Sequence, residues 1–138
     1  MRRRKRKAAE STGGEGPGAA GLYCWDDLGW EELSPRLFRR MVSGERAMFT
    51  QILLKRGAAV PWHDHENEQF SYVLSGSLRF ELKEGKGRTI DVLAGEIIHI
   101  PSALPHRVQA LEDSLSIDIF SPPRQDWLDG ADDYLKQS

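Results

Sequence analysis

The chain has 138 residues and a mass of 15.6 kDa, enough for one compact domain and hardly for two. With 39% hydrophobic and 29% charged residues it reads as globular, and no run approaches the roughly 18 apolar residues of a membrane-spanning helix. The formal charge of -2 is unevenly spread: residues 1–20 carry six Lys/Arg against two Glu, and residues 21–138 carry thirteen against nineteen Asp/Glu, so the body gives no electrostatic footprint for nucleic acid.

In chain order, residues 1–20 set a basic cluster before a Gly/Ser/Pro-rich stretch without periodicity. Such a segment buries too little apolar surface to offset its ordering entropy, and a disordered tail is expected. Its basic run is the one surface here suited to nucleic acid, anionic lipid or a transport receptor, and the default expectation is that it is inert. No apolar leader follows Met1, and the single cysteine, Cys24, excludes an internal disulfide framework, so the expected compartment is the cytoplasm.

Residues 21–138 are expected to form the one domain. Glycine and proline punctuate short apolar runs there, which is an all-β texture. Strands are expected at 46–54, 70–74, 78–82, 88–93, 97–100, 106–111 and 114–120. Leu78, Phe80 and Leu82 alternate cleanly with Arg79 and Glu81. Ser75-Gly76-Ser77 and Glu84-Gly85-Lys86-Gly87 read as hairpin turns. Helical signal is confined to about one turn near 27–33 and another near 125–135. The pattern predicts a small sandwich or barrel.

The four histidines stand at 63, 65, 99 and 106. On an extended strand the i, i+2 spacing of His63 and His65 puts both imidazoles on one face, about 6–7 Å apart. His106 opens a later strand and offers a third nitrogen. Imidazole suits Zn, Cu, Fe and Ni, so a first-row transition metal is the expected occupant. His99, between Ile98 and Ile100, reads as structural.

The segment Gly57-x5-His63-x-His65-x3-Gln69-x6-Gly76 resembles the first cupin motif, with Gln69 where most members have Glu. Gly95-x5-Pro101-x4-His106 resembles the second, with Ala103 and Ala110 where Gly and Asn are usual. The resemblance implies a single cupin double-stranded β-helix, a jelly-roll barrel, with one divalent metal (Ni, Zn, Fe, Mn or Cu) held by His63, His65, Gln69 and His106. An amide ligand brings no charge, so such an ion keeps its full double charge and favours Lewis-acid work on anionic ligands. Three-histidine iron sites among cupins leave dioxygen chemistry open.

The stretches Glu68–Gly76 and Ile117–Leu128 narrow the likeness to the pectin-degradation cupins, the KdgF family. Those are small, typically dimeric metalloproteins that help convert 4,5-unsaturated monouronates into the linear ketonised acid, and their His-His-Gln-His set is shared. The resemblance implies that Asp118, Phe120 and Arg124 serve turnover, Asp118 moving a proton and Arg124 gripping a carboxylate. Period-2 alternation pulls the other way: it buries Leu115, Ile117 and Ile119 and leaves Asp118 solvated. Both hold if the strand is covered on both sides, its outer face by a second copy, and a homodimer is expected. Trp62 is expected in the core or an interface, with a sugar platform as the other reading. The alternatives to a uronate-opening isomerase are an iron-dependent dioxygenase and a metal-stabilised binding module without turnover.

Overall fold

A computed structural model describes residues 18–137. The basic cluster, and with it most of the expected tail, lies outside the described residues, while residues 18–20 are exposed and irregular. Among the described residues ten strands form two antiparallel sheets. They are β1 (Glu31–Ser34), β2 (Leu37–Ser43), β3 (Met48–Leu54), β4 (Ala59–His63), β5 (Glu68–Ser75), β6 (Ser77–Leu82), β7 (Arg88–Leu93), β8 (Ile97–Ile100), β9 (His106–Ala110) and β10 (Ser114–Ser121). The larger sheet runs β1-β2-β3-β10-β5-β8 and the smaller β4-β9-β6-β7. A short helix α1 (Gln125–Leu128) and a closing 3-10 turn (Asp133–Gln137) follow. No helix among the described residues is long and apolar enough to cross a membrane.

The core fills the space between the sheets. Leu78, Phe80 and Leu82 of β6 point inward as their alternation predicts, meeting Val73, Ile98, Ile100 and Val108 from neighbouring strands. Helical signal near 27–33 becomes a 3-10 turn at Trp25–Asp27 followed by β1. Strand β2 was not legible, because Arg39 and Arg40 interrupt its apolar run. Arg39 nonetheless points inward and is buried, ion-paired with Glu31 and with the buried Asp132. Arg40 points outward, where it covers the Trp30 ring at 4.0 Å and donates to the Trp25 carbonyl, pinning residues 25–30 against the sheet.

The two faces of β10 reverse the simple pattern. Ser114, Ser116 and Phe120 are buried in the barrel, with Asp118 between them, while Leu115, Ile117 and Ile119 face outward. Cross-strand register extends that outer face sideways: Ile117 opposes Tyr72, which opposes Ile97, and Ile119 opposes both Phe70 and Phe49. Ile117 is already only 8% exposed, whereas Phe70, Tyr72, Leu74, Phe49 and Ile97 stand 39–63% exposed. The apolar surface is therefore a sheet-wide face, of which the sequence pattern showed only the middle strand.

One glycine is fixed by close approach. Gly76 turns β5 into β6 at φ 85, and an added Cβ would collide with Ser114 Oγ and the Asp113 carbonyl and lie 2.7 Å from Ser114 Cα. Gly95 has a similar φ of 89 with open space around it. Gly76→Ala should therefore destabilise the fold by about 2–4 kcal/mol, and Gly95→Ala by about 1 kcal/mol. Thermal melts of the two variants check this, and equal melting temperatures would contradict it.

Candidate metal centre

Both sheets contribute to the mouth of the barrel. His63 ends β4 directly opposite His106, which opens β9. His65 lies beyond β4, in the connection to β5, so the pair does not share one extended strand as the spacing suggested. Its position is set by the loop instead. The His65 carbonyl accepts from Ala103 N at 2.8 Å, and the buried Asn67 side chain donates to the Pro122 and Pro123 carbonyls at 2.6 and 3.1 Å. Ala103, at a usual glycine position of the motif, holds that bond at φ 64, a left-handed conformation that costs a non-glycine residue about 1–2 kcal/mol.

The three rings converge. His63 and His106 have centroids 4.3 Å apart, His65 and His106 5.1 Å, and one nitrogen from each lies within 4.8 Å of the others. Each Nδ1 faces a backbone carbonyl: Pro61 O for His63 and Leu104 O for His106, both at 2.8 Å, and Asn67 O for His65 at 3.0 Å. Carbonyls only accept, so each ring carries its proton on Nδ1 and turns a bare Nε2 lone pair inward. The Nε2 atom of His106 is buried with no hydrogen-bond partner.

Gln69, on β5, faces the same point. Its Oε1 lies 3.1 Å from His65 Nε2, and its Nε2 donates to Ser71 Oγ at 2.9 Å. The Ser71 hydroxyl in turn bonds the Asp118 carboxyl, which fixes the amide's orientation. Two lone pairs at 3.1 Å need a proton or a cation between them. Protonation is disfavoured, because burial and the charge of Arg124 hold His65 down to about 4. Burial and the neighbouring His106 hold His63 down to about 3, and burial also lowers His106. Three neutral imidazoles and an amide oxygen aimed at one point fit a divalent transition metal, with no protein carboxylate among the four donors.

Asp118 faces inward beside this cluster, contrary to the solvated position that alternation gave it. It sits opposite Ser71 and Thr50 on the flanking strands, half-buried, and lines the cavity. Burial pushes its pKa up, while hydrogen bonds from Ser71 and from Ser116 (2.9 Å) pull the other way. Phe120 presents its edge to His65 at 5.7 Å and supplies an apolar wall. Arg124 lines the cavity, is 2% exposed, and spends its fork on Asp126 through bonds of 2.9 and 2.8 Å, rather than holding it open for a ligand.

Two side chains here had no role assigned from the sequence. Trp127 meets Phe120 edge-on at 5.0 Å, and Tyr134 lies over His63 at 5.1 Å, both lining the same cavity as His63 and His106. Two residues singled out in the sequence lie elsewhere. Trp62 is 39% exposed on the outside of the smaller sheet beside Lys83 and Arg107, in neither the core nor the cavity. His99 is on the outer face, paired with Glu68.

Residues 50–120 match the Cupin domain family, over half of the chain. The chain is a cupin. It is 31% identical over 106 residues to the pectin degradation protein KdgF of Dickeya dadantii, covering 75% of this cupin and 94% of that protein. It is 35% identical over 77 residues to oxalate decarboxylase OxdC of Bacillus subtilis, but spans only 20% of the decarboxylase's length. Among solved structures, KdgF from Halomonas sp. is similar at a TM-score of 0.68 and 31% identity, over 74% of this cupin and 94% of that chain. A cupin of the RmlC-like type from Shewanella frigidimarina matches at 0.68 and 26% identity, over 74% and 90%.

The lowered histidine values carry a sign. The unfolded chain takes up protons below about pH 6.5 that the folded cluster refuses until about pH 4 at His65 and about pH 3 at His63. The histidine contribution is intact above pH 6.5 and lost as pH falls through that interval. Metal-free protein should melt at progressively lower temperature from about pH 7 to pH 4, and His63→Gln should flatten the slope. Calorimetry showing the same slope in both proteins would contradict the burial assigned to His63.

Proposed function

We propose that this cupin is a metal-dependent isomerase that opens the ring of a 4,5-unsaturated monouronate and delivers the linear keto acid. The observation that carries the reading is Asp118, an inward-facing carboxyl with raised proton affinity beside the cluster of imidazole lone pairs, lining a cavity with a guanidinium in its wall. The likeness to the pectin degradation protein KdgF, across nearly all of that protein, supports it.

The reaction needs no oxidant and no second substrate. The hemiacetal hydroxyl loses a proton, the bond from C1 to the ring oxygen breaks to leave an aldehyde and an enol, and the enol becomes a ketone as a proton reaches the alkene carbon. A divalent cation held by His63, His65, Gln69 and His106 supplies Lewis-acid polarisation of hydroxyl and carbonyl oxygens. Asp118 takes and returns the proton, and its elevated pKa brings it towards the working range of a general acid or base near neutrality. Ser71 holds the carboxyl and ties it to Gln69. Arg124 contributes positive potential for a carboxylate, and Phe120 closes the apolar side. Neutral donors leave an ion here with its full charge, which favours this polar chemistry over dioxygen activation.

Mixing the metal-loaded protein with a 4,5-unsaturated monouronate should abolish the ultraviolet absorbance of its conjugated double bond. Asp118→Asn should slow this by roughly 10²–10⁴ with metal content unchanged. Binding without loss of absorbance would favour a non-catalytic module, and oxygen uptake with iron would favour a dioxygenase.

We also propose that the outer face around Phe70, Tyr72, Ile97 and Phe49 pairs with a second copy about a two-fold axis. The face is continuous in register across four strands, which suits sheet-on-sheet stacking of the kind that buries such surfaces. Sedimentation at micromolar concentration should give a dimer, and Tyr72→Glu with Ile97→Glu should give monomer. A monomeric parent protein would contradict it.

A further inference from the structure

The chain beyond α1 crosses the open end of the barrel. Gly130 turns at φ 73, Asp132 is fully buried against Arg39, and the closing turn packs against β1 and β4, so one segment spans the strands of both sheets. Leu135 is buried in the cavity floor and Tyr134 faces the imidazole cluster. Trp127 rests against two guanidiniums, each 4.7 Å from its ring, one from Arg39 and one from Arg124. The segment is thus tied to the barrel by a buried ion pair and a cation–π stack, and it carries a phenol into the site.

The hydrogen bonds of that phenol are unequal. The Tyr134 oxygen accepts from Arg124 Nη2 and from Trp127 Nε1, the latter at 3.2 Å. A phenolic oxygen has two lone pairs and one proton, so both lone pairs are used and only the proton remains to be given. Among the described residues no acceptor takes it. The two donors also fix the direction of the hydroxyl, since neither Arg124 nor Trp127 is free to move: both are buried, and Arg124 is held by Asp126. A fixed donor without an acceptor, at the wall of a cavity also lined by His63, Gln69 and His106, is a group awaiting an oxygen of a ligand.

We propose that Tyr134 is a ligand-binding residue of this cupin, donating its phenolic hydrogen bond to an oxygen of the carboxylated molecule held at the imidazole cluster. The identity of that molecule as a uronate rests on the function proposed above, but the donor and its direction do not. Gripping of the ligand then falls to Tyr134, with Arg124 serving as a positioning residue that aims the hydroxyl while bound to Asp126.

The test uses full-length protein loaded with cobalt(II), whose visible absorption responds to a ligand oxygen entering its coordination, and titrates it with acetate and with galacturonate. Tyr134→Phe keeps the ring on His63 and removes only the oxygen. It should weaken both titrations about tenfold, with cobalt stoichiometry unchanged and with Tyr23→Phe, at an exposed tyrosine away from the cavity, behaving as the parent protein. A lower melting temperature with unchanged affinity for both carboxylates would mean that the hydroxyl merely braces Trp127, and would overturn the proposal. Turnover of the unsaturated uronate is measured in the same samples. Absent turnover with the tenfold weakening retained overturns the isomerase reading and upholds Tyr134, whereas turnover with unweakened titrations does the reverse.

Discussion

Three short hydrogen bonds, from the Nδ1 atoms of His63, His65 and His106 to the carbonyls of Pro61, Asn67 and Leu104, govern the rest of this molecule. Each joins residues only two apart, so the tautomer of every imidazole is settled by its own local backbone. The bare Nε2 atoms must then face one another at the mouth of the barrel, partly removed from water, which is costly for lone pairs with no donor to meet them. His106 Nε2 is the plainest instance, buried and without a partner. A divalent cation would relieve all three at once, with the amide oxygen of Gln69 placed to join them. Stability is given up at this end of the barrel in order to hold the site ready.

Around that cluster the two sheets divide the work. The smaller sheet fixes His63 and His106 as direct cross-strand neighbours, and the larger places Gln69 opposite Phe120 and Ser71 opposite Asp118 on adjoining rungs. The chain of hydrogen bonds from Gln69 through Ser71 to Asp118 links an amide that faces the imidazole cluster to an inward-facing carboxyl. Any change in what Gln69 Oε1 binds is therefore felt at Asp118. The same β10 strand exposes Leu115 and Ile119 on its other side, so site and outer apolar face are two sides of one strand.

Much of this was legible in the sequence because motif spacing is a local code. The histidines, Gln69 and the turn glycines recur at fixed intervals whatever surrounds them. Asp118 was ambiguous for a physical reason: period-2 alternation distinguishes two faces but does not say which is wet when both are covered. Strand β2 was hidden because a buried arginine looks like a surface one until its partners Glu31 and Asp132 are known, and these lie 8 residues before and 93 residues after it in the chain. Tyr134 was hidden likewise, since the weak helical signal near 125–135 gives it no partner, and only the fold brings it over His63. Long-range ion pairs and the path of the final segment leave no periodic trace.

His63, His65, Gln69 and His106 are arranged to take one divalent transition metal without a protein carboxylate, as proposed above. Anomalous diffraction from crystals of the metal-loaded protein addresses this most directly. A single anomalous peak at full occupancy is expected, with three Nε2 atoms and Gln69 Oε1 at about 2.0–2.2 Å and the Nδ1 hydrogen bonds undisturbed. A peak bound by Asp118 or another carboxylate, or by rings turned to offer Nδ1, would contradict it.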